Sequence, residues 1–211
     1  TARQILTGQG GDWFYDGVLL LPGSHALRPT LSLTGTLTLS GTANVVENNA
    51  LANGGAATGA SVTGTNAVLR NMVVGTNTAG FITSVLIGAG ASAEIVNSTV
   101  QAIGAAGLVS GVQATAGGQA TIVDSNVSAT ATGAGIVLPI AVVAFGTSTI
   151  TMTGGSANAD NFAGGGFLGL SSIAVSGAVG STINLNHVAI NATSSSAVNS
   201  AIGVNVGGII N

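Results

Sequence analysis

Charged and aromatic side chains are scarce in this 211-residue chain, at 4% and 3% of the residues. Ordinary globular domains carry about 25% charged residues. Lysine is absent, and three arginines against six acidic residues give a net charge of −3. Because a nucleic-acid-binding surface needs basic side chains to neutralise phosphates, this composition argues against a nucleic-acid partner.

Cysteine is also absent, which excludes a disulfide framework and thiolate ligands for a metal. Low charge is typical of membrane proteins, but a spanning helix needs about 20 consecutive apolar residues. The uncharged stretch 125–158 is interrupted by Gly, Ser, Thr and Pro139. We therefore predict no membrane-spanning segment. Glycine is abundant (34 residues) but lacks the three-residue period of collagen.

A repeat of about 30 residues is what the chain does have. The segment SVLIGAGASAEIVNSTVQA, from Ser84, returns 27 residues later as GVQATAGGQATIVDSNVSA. One apolar anchor position can be followed at spacings of 30, 26, 27, 30 and 33 residues, through Leu39, Leu69, Ile95, Ile122, Met152 and Leu185. Parallel ladders run through Val85, Val112, Val142 and Val175, through Leu37, Ala67, Ala93, Ala120, Ile150 and Ile183, and through Val74, Val100, Val127, Ala157 and Ile190. A period of this size indicates a repeat architecture.

Apolar residues alternate with polar ones around each anchor, which is the period of a β-strand. Gly, Asn, Ser and Asp interrupt these runs, as turns require. We therefore predict an all-β parallel β-helix (a β-solenoid) of about six coils with 26–33 residues per coil, over 31–211. The chain would then end part-way through a seventh coil. We expect loops within 45–62, and left-handed turn residues after the anchors at Asn71, Asn97, Asp124 and Gly154.

Residues 1–30 do not fit the repeat, and we predict that they form an N-terminal cap-like segment, since terminal repeats are atypical. Trp13, Phe14 and Tyr15 lie within it. One interpretation is that Trp13 and Phe14 plug the end of the first coil. The other is that the three aromatic residues form a recognition patch, because exposed aromatic side chains are favoured binding anchors.

An insertion in the fifth coil, 158–170, is a second candidate contact region, because departures from a repeat often map to a binding face. Phe162 and Phe167 either pack inward in an irregular coil or contact a partner. At the other end of the chain, Val204 belongs to an alternating segment that begins a further coil. We expect this strand edge to be covered by more of the parent protein or by another subunit.

Catalytic and metal-binding patterns are weak. Glu94 and Asp124 are the best carboxylate neighbours, but they fall at different positions of the repeat, so they are expected to face different ways. His187 has no neighbouring ligand residue in the sequence and is best interpreted as an exposed turn histidine. We predict a protein that is not an enzyme, with no cofactor, no metal and no catalytic residues.

The coil GVQATAGGQATIVDSNVSATATGAGI resembles those of pertactin-like autotransporter passenger domains, and the likeness extends over about 37–206. The resemblance implies a right-handed β-helix at a bacterial cell surface or secreted outside the cell, used as an adhesin or stalk. Its partners would be molecules or glycans of a host or neighbouring cell. The alternatives are a self-assembling filament subunit, associating end to end or laterally, and a carbohydrate-binding or carbohydrate-cleaving spike.

Overall fold

The chain folds into three parallel β-sheets that wind into a solenoid. The computed structural model describes residues 13–15, 31–33, 35–47, 50–133, 136–162, 170–195 and 200–211. Within these ranges all regular structure is β-strand. No helix among them is long and apolar enough to cross a membrane.

Strands are numbered in chain order, and from β2 onward each sheet takes every third one. The first sheet contains β1 (Trp13–Tyr15), β3 (Leu37–Leu39), β6 (Thr58–Val62), β9 (Ile82–Ile87), β12 (Gly107–Ala114), β15 (Val137–Ala144), β18 (Leu170–Gly177) and β21 (Ser200–Val206). The second contains β4 (Val45–Glu47), β7 (Ala67–Arg70), β10 (Ser92–Val96), β13 (Gln119–Val123), β16 (Thr149–Thr153), β19 (Thr182–Asn186) and β22 (Ile209–Ile210). The third contains β2 (Leu31–Leu33), β5 (Ala50–Asn53), β8 (Val73–Thr78), β11 (Thr99–Gly104), β14 (Asn126–Ala131), β17 (Ser156–Asn161) and β20 (Ala189–Ser194).

Each turn of the solenoid uses one strand from the first, second and third sheet in that order. Six such turns run from β3 to β20, and β21 and β22 continue on the first and second sheets. Every strand pairs in parallel with its equivalents in the adjacent turns, as β13 does with β10 and β16. The predicted parallel β-solenoid of about six coils is confirmed.

The ladders found in the sequence are columns of paired residues inside the solenoid. Ile95 pairs with Leu69 on one side and with Ile122 on the other, and Met152 and Leu185 continue this column. Val85, Val112, Val142 and Val175 form a second column in the first sheet. Val74, Val100, Val127, Ala157 and Ile190 form a third in the third sheet. One sequence period therefore equals one turn.

The first coil corrects two ladder positions. Leu37 and Leu39 were assigned to columns of the second sheet, but both lie in the first sheet, where they pair with Ala60 and Val62. Val46 occupies the anchor column and pairs with Leu69, 23 residues later. Both leucine pairs of LSLTGTLTL alternate correctly for a strand, and alternation does not reveal to which sheet a strand belongs. This coil is shorter than the predicted 26–33 residues.

Loops were expected within 45–62, but three strands, β4, β5 and β6, occupy most of this segment. Small side chains still alternate inward in this region, where Ala60 and Val62 are fully buried. Asn53 points inward and is 2% exposed. Its amide donates to the carbonyl oxygens of Gly35 and Thr58, and its Oδ1 accepts the backbone N–H groups of Gly55 and Ala56. A buried polar group is tolerated here because it is hydrogen-bonded.

The core is made of aliphatic side chains. A main cluster runs along the solenoid axis, and it includes Leu69, Ile95, Ile122, Met152 and Ile183, each no more than 1% exposed. A smaller cluster lies beside it, formed by Ile82, Ala102, Val109, Ala129, Ala131 and Val137. A third cluster, around Ile140, Val143 and Ile173, lies on the opposite side of the first sheet. Adjacent residues therefore face both ways in β15, where Val142 belongs to the main cluster and Val143 to the third.

Candidate functional site

The corners between the second and third sheets use the turn chemistry predicted from the sequence. Asn71, Asn97, Asp124 and His187 all have positive φ angles, between 46° and 54°, and Gly154 takes the same conformation at 67°. Asn, Asp and Gly tolerate this left-handed conformation better than other residues. His187 is exposed at its corner, as expected of a turn residue. The left-handed backbone conformation of the corners therefore explains why these residue types occur there.

A buried serine follows the left-handed residue in two of these corners. The backbone N–H of Ser98 donates to the hydroxyl oxygen of Ser125 at 3.0 Å, and that of Met72 donates to the hydroxyl oxygen of Ser98 at 3.0 Å. Each serine hydroxyl in turn donates to a carbonyl oxygen, that of Val96 for Ser98 and that of Val123 for Ser125. The corner is a hydrogen-bonded column that ties successive coils together.

The outer face of the third sheet carries an array of polar side chains in its C-terminal coils. In β14, β17 and β20 the first, third and fifth residues of the strand point outward. The second, fourth and sixth are alanine, valine, isoleucine or other residues that face the core. We call the polar outward residues of these strands, with the adjoining Phe162, the polar platform: Asn126, Ser128, Thr130, Ser156, Asn158, Asp160, Phe162, Asn191 and Thr193.

Hydrogen bonds connect these outward side chains from coil to coil. The Asn191 amide donates to Oδ1 of Asn158 at 2.9 Å, and the Asn158 amide donates to Oγ of Ser156 at 2.9 Å. Ser156 donates in turn to Oδ1 of Asn126 at 2.9 Å. Next to this chain of hydrogen bonds, the Thr193 hydroxyl donates to the carboxylate of Asp160. The bonds hold exposed side chains in defined positions.

Phe162 is the aromatic member of the platform. Its backbone N–H donates to the carbonyl oxygen of Ala131 at 3.2 Å, so the pairing of β17 with β14 extends one residue past the strand. Its side chain is 69% exposed. The interpretation that Phe162 packs inward was therefore wrong, because Asn161 occupies the inward position and alternation turns the next side chain outward. Phe167, the other aromatic residue of the insertion, lies outside the described residues.

A second exposed aromatic, Phe81, lies at the corresponding corner nearer the N-terminus and is 71% exposed. Its ring lies against Gly107, where an added Cβ would approach three ring carbons to 3.0 Å. The segment that leads to Phe81 has Gly75, Asn77 and Ala79 at alternate positions, so only one of these three carries a hydrogen-bonding side chain. The two corners thus share an exposed ring and differ in their surroundings.

The other predicted contact residues do not join the platform. Trp13, Phe14 and Tyr15 form β1, which pairs with β3 through Trp13 and Leu37. The burial of these three side chains lies outside what the structure describes, so the choice between a plug and a patch stays a prediction. Val204 is half-buried in β21 and packs against the main core cluster.

The carboxylates are dispersed over the described part of the solenoid. Glu94 lies on the outer face of the second sheet and pairs with Thr121, whereas Asp124 lies at an exposed corner. Asp160 belongs to the platform, and Glu47 pairs with Arg70 at 3.5 Å. Among the described residues, no group of three or more His, Cys, Asp or Glu side chains is placed to hold a metal ion.

The sequence contains one signal for the platform, at a single position of the repeat. Six residues after the anchors of the second to sixth coils lie Gly75, Gln101, Ser128, Asn158 and Asn191, so this position lacks large apolar residues there and becomes rich in amides towards the C-terminus.

Comparison with known protein families, with characterised proteins and with solved structures finds no match to the chain.

Proposed function

We propose that this protein is a non-enzymatic adhesive or structural element that works outside the cell, at a bacterial surface. The observation that carries the proposal is the coupling of a continuous aliphatic core to the ordered, polar, almost uncharged outer face of the third sheet. The core makes a rigid rod, because each coil buries its apolar side chains against its neighbours. The outer face of the third sheet is exposed and can contact a partner.

Several features favour this role over catalysis. Hydrolysis of glycosidic bonds, the chemistry of many polysaccharide-cleaving enzymes, needs two carboxyl groups that flank one bond. Glu94 and Asp124 lie at different sites of the solenoid, one on a sheet and one at a corner. The likeness of the coils to pertactin-like passenger domains supports an extracellular, adhesive element and a partner on a host or neighbouring cell.

The adhesive role is tested with fluorescent beads that carry the purified chain. We expect coated beads to attach to cultured host cells or to neighbouring bacteria, and beads coated with an unfolded Ile122→Asp variant to stay unattached. Ile122 is fully buried in the anchor column, so an unpaired charge there disrupts the fold. Equal attachment of the two kinds of bead would refute a role for the folded solenoid.

The non-enzymatic part of the proposal has its own assay. Neutral and acidic polysaccharides are incubated with the chain, and the release of reducing ends is measured. We expect no release. Activity that appears with the wild-type chain and disappears in a folded Glu94→Ala/Asp124→Ala variant would identify an enzyme instead.

A further inference from the structure

The polar platform combines an exposed aromatic ring with a row of hydrogen-bonded polar side chains. Asn158, Asp160 and Phe162 follow one another at alternate positions of a single extended segment, so all three face outward. An exposed phenyl ring therefore lies at the end of a row of amide and carboxylate groups. Neighbouring rows are about 4.8 Å apart, and outward residues along a strand are about 6.6 Å apart.

The polar groups of the platform are positioned before any ligand arrives. Asn158 is fixed by bonds to both Asn191 and Ser156, and Asp160 is fixed by the hydroxyl of Thr193. Side chains that are already ordered lose little entropy when a ligand binds. An amide group offers two hydrogens and an acceptor oxygen, and a carboxylate offers about four acceptor positions, so capacity for a ligand remains after these bonds are made.

A sugar ring has the shape and chemistry that this surface matches. Its C–H face is apolar and packs on an aromatic ring, whose negative face attracts the partly positive hydrogens. Its hydroxyl groups both donate and accept, which suits amide, hydroxyl and carboxylate side chains at fixed spacings. A protein partner fits less well, because the centres of protein interfaces are rich in aromatic, Met and Arg side chains. An anionic glycan would meet the carboxylate of Asp160 with no basic side chain among the platform residues.

We propose that the polar platform binds a neutral polysaccharide. Phe162 packs against the C–H face of one sugar ring, while the Asn158–Asn191 and Asp160–Thr193 pairs bond the hydroxyl groups of that ring and the next. This inference rests on the proposed adhesive function, for which it supplies the class of ligand.

The direct test uses the whole chain on an array of neutral glucans, mannans, galactans and xylans, with sulfated glycans of the same sizes. We expect binding to at least one neutral glycan and none to its sulfated counterpart. Binding to no neutral glycan, or to sulfated glycans alone, overturns the inference.

Variants locate the site by calorimetry with the neutral glycan that binds best. Phe162→Ala should weaken the affinity about tenfold or more, as truncation of an aromatic anchor does. Asn158→Ala should also weaken it, because it removes a bonding group and releases Asn191. Phe81→Ala is the matched control, since it deletes an equally exposed ring outside the platform, and Asn184→Ala is the control for an amide on the second sheet. Circular dichroism confirms that every variant is folded.

Wild-type affinity in the Phe162→Ala variant overturns the inference, as does a loss in Phe81→Ala of the same size as in Phe162→Ala. The bead assay separates this failure from that of the adhesive role. If Phe162→Ala beads attach as wild-type beads do, including to cells whose sugar rings have been opened by periodate, adhesion stands and the glycan inference fails. If the platform binds the glycan on the array but no bead attaches to cells, the inference stands and the adhesive role fails.

Discussion

The first and third sheets are built from the same kind of parallel strand, yet their outer faces differ. On the first sheet, Ile140, Val143 and Ile173 point away from the main core and are still no more than 4% exposed. On the third, Gln101, Asn126 and Asn191 occupy outward positions and are exposed. One outer face is therefore an additional apolar cluster, and the other is open to water and carries hydrogen-bonded polar rows.

The difference shows which part of the sequence the solenoid constrains. Inward positions of all three sheets must be apolar or hydrogen-bonded, because they pack against one axis. Outward positions need not all be apolar, since backbone pairing between coils continues whether the outer side chains are buried, as on the first sheet, or exposed, as on the third. The outer faces can therefore differ in chemistry while the fold stays the same, and each of the following changes tests that division.

The largest effect is expected from Val143→Asp, on the outer face of the first sheet. Val143 is fully buried although it points away from the main core. An unpaired carboxylate there should cost more than about 4 kcal/mol and leave the chain unfolded or insoluble. Gln101→Asp, in an exposed outward position on the third sheet, is the control and should remain folded by circular dichroism. Equal behaviour of the two variants would contradict the contrast between the faces.

Two isoleucines provide a matched comparison of packing. Ile173 is 1% exposed on the outer face of the first sheet, whereas Ile103 is half-buried on the outer face of the third. Ile173→Ala should lower the free energy of unfolding by about 2–4 kcal/mol, because it leaves a cavity. Ile103→Ala should cost less than about 1 kcal/mol, since water fills the space. Urea denaturation measures the free energy of unfolding of both variants. A larger loss for Ile103→Ala than for Ile173→Ala would contradict the contrast between the two outer faces.

A smaller loss is expected at the corner that leads into the third sheet. Ser125→Ala removes the acceptor of the Ser98 backbone N–H and leaves that buried group without its bond. The expected cost is about 1–3 kcal/mol. Ser128→Ala, on the outer face three residues later, should change stability by less than about 0.5 kcal/mol. Thermal unfolding of the two variants would refute the buried serine column if both midpoints matched that of the wild type.

The smallest effect concerns an ion pair on the outer face of the second sheet. Arg70 and Glu47 are 3.5 Å apart, and the arginine side chain is 46% exposed. Because such pairs contribute about 0–1 kcal/mol and are screened by salt, Arg70→Gln should lower stability slightly at low ionic strength. The difference in stability between variant and wild type should vanish in 1 M salt, where the Debye length is about 3 Å. A difference that persists there would indicate a contribution from packing instead.

The repeat predicted the fold because one period is one turn, so residues at equal positions stack. The columns through Ile95, Ile122 and Met152 followed directly from their spacing. The position of Leu39 did not, because strands of all three sheets alternate alike and the first coil is short. The segment VLPIAVVA could have indicated the second apolar face, since an unbroken apolar run is typical of a strand buried on both sides.

The platform was harder to predict than the core. Polar residues are common at any solvent-exposed position of a strand. A polar residue six positions after an anchor therefore did not indicate a binding surface. The orientation of Phe162 depends on where β17 stops alternating, and the sequence placed this residue in an irregular insertion. Only the continued backbone bond to Ala131 establishes that the alternation reaches it.

Strands pair only with strands of the adjacent coils, and this has a consequence for how the chain acquires its structure. Each strand finds its partner about one coil away in the sequence, as β10 and β13 do at 27 residues, however many coils there are. The entropy of closing each loop therefore stays the same as the rod lengthens. Folding can start from one ordered pair of coils and propagate, with every completed coil offering the next a row of unpaired backbone groups as a template. Growth of this kind can follow the chain from one end to the other.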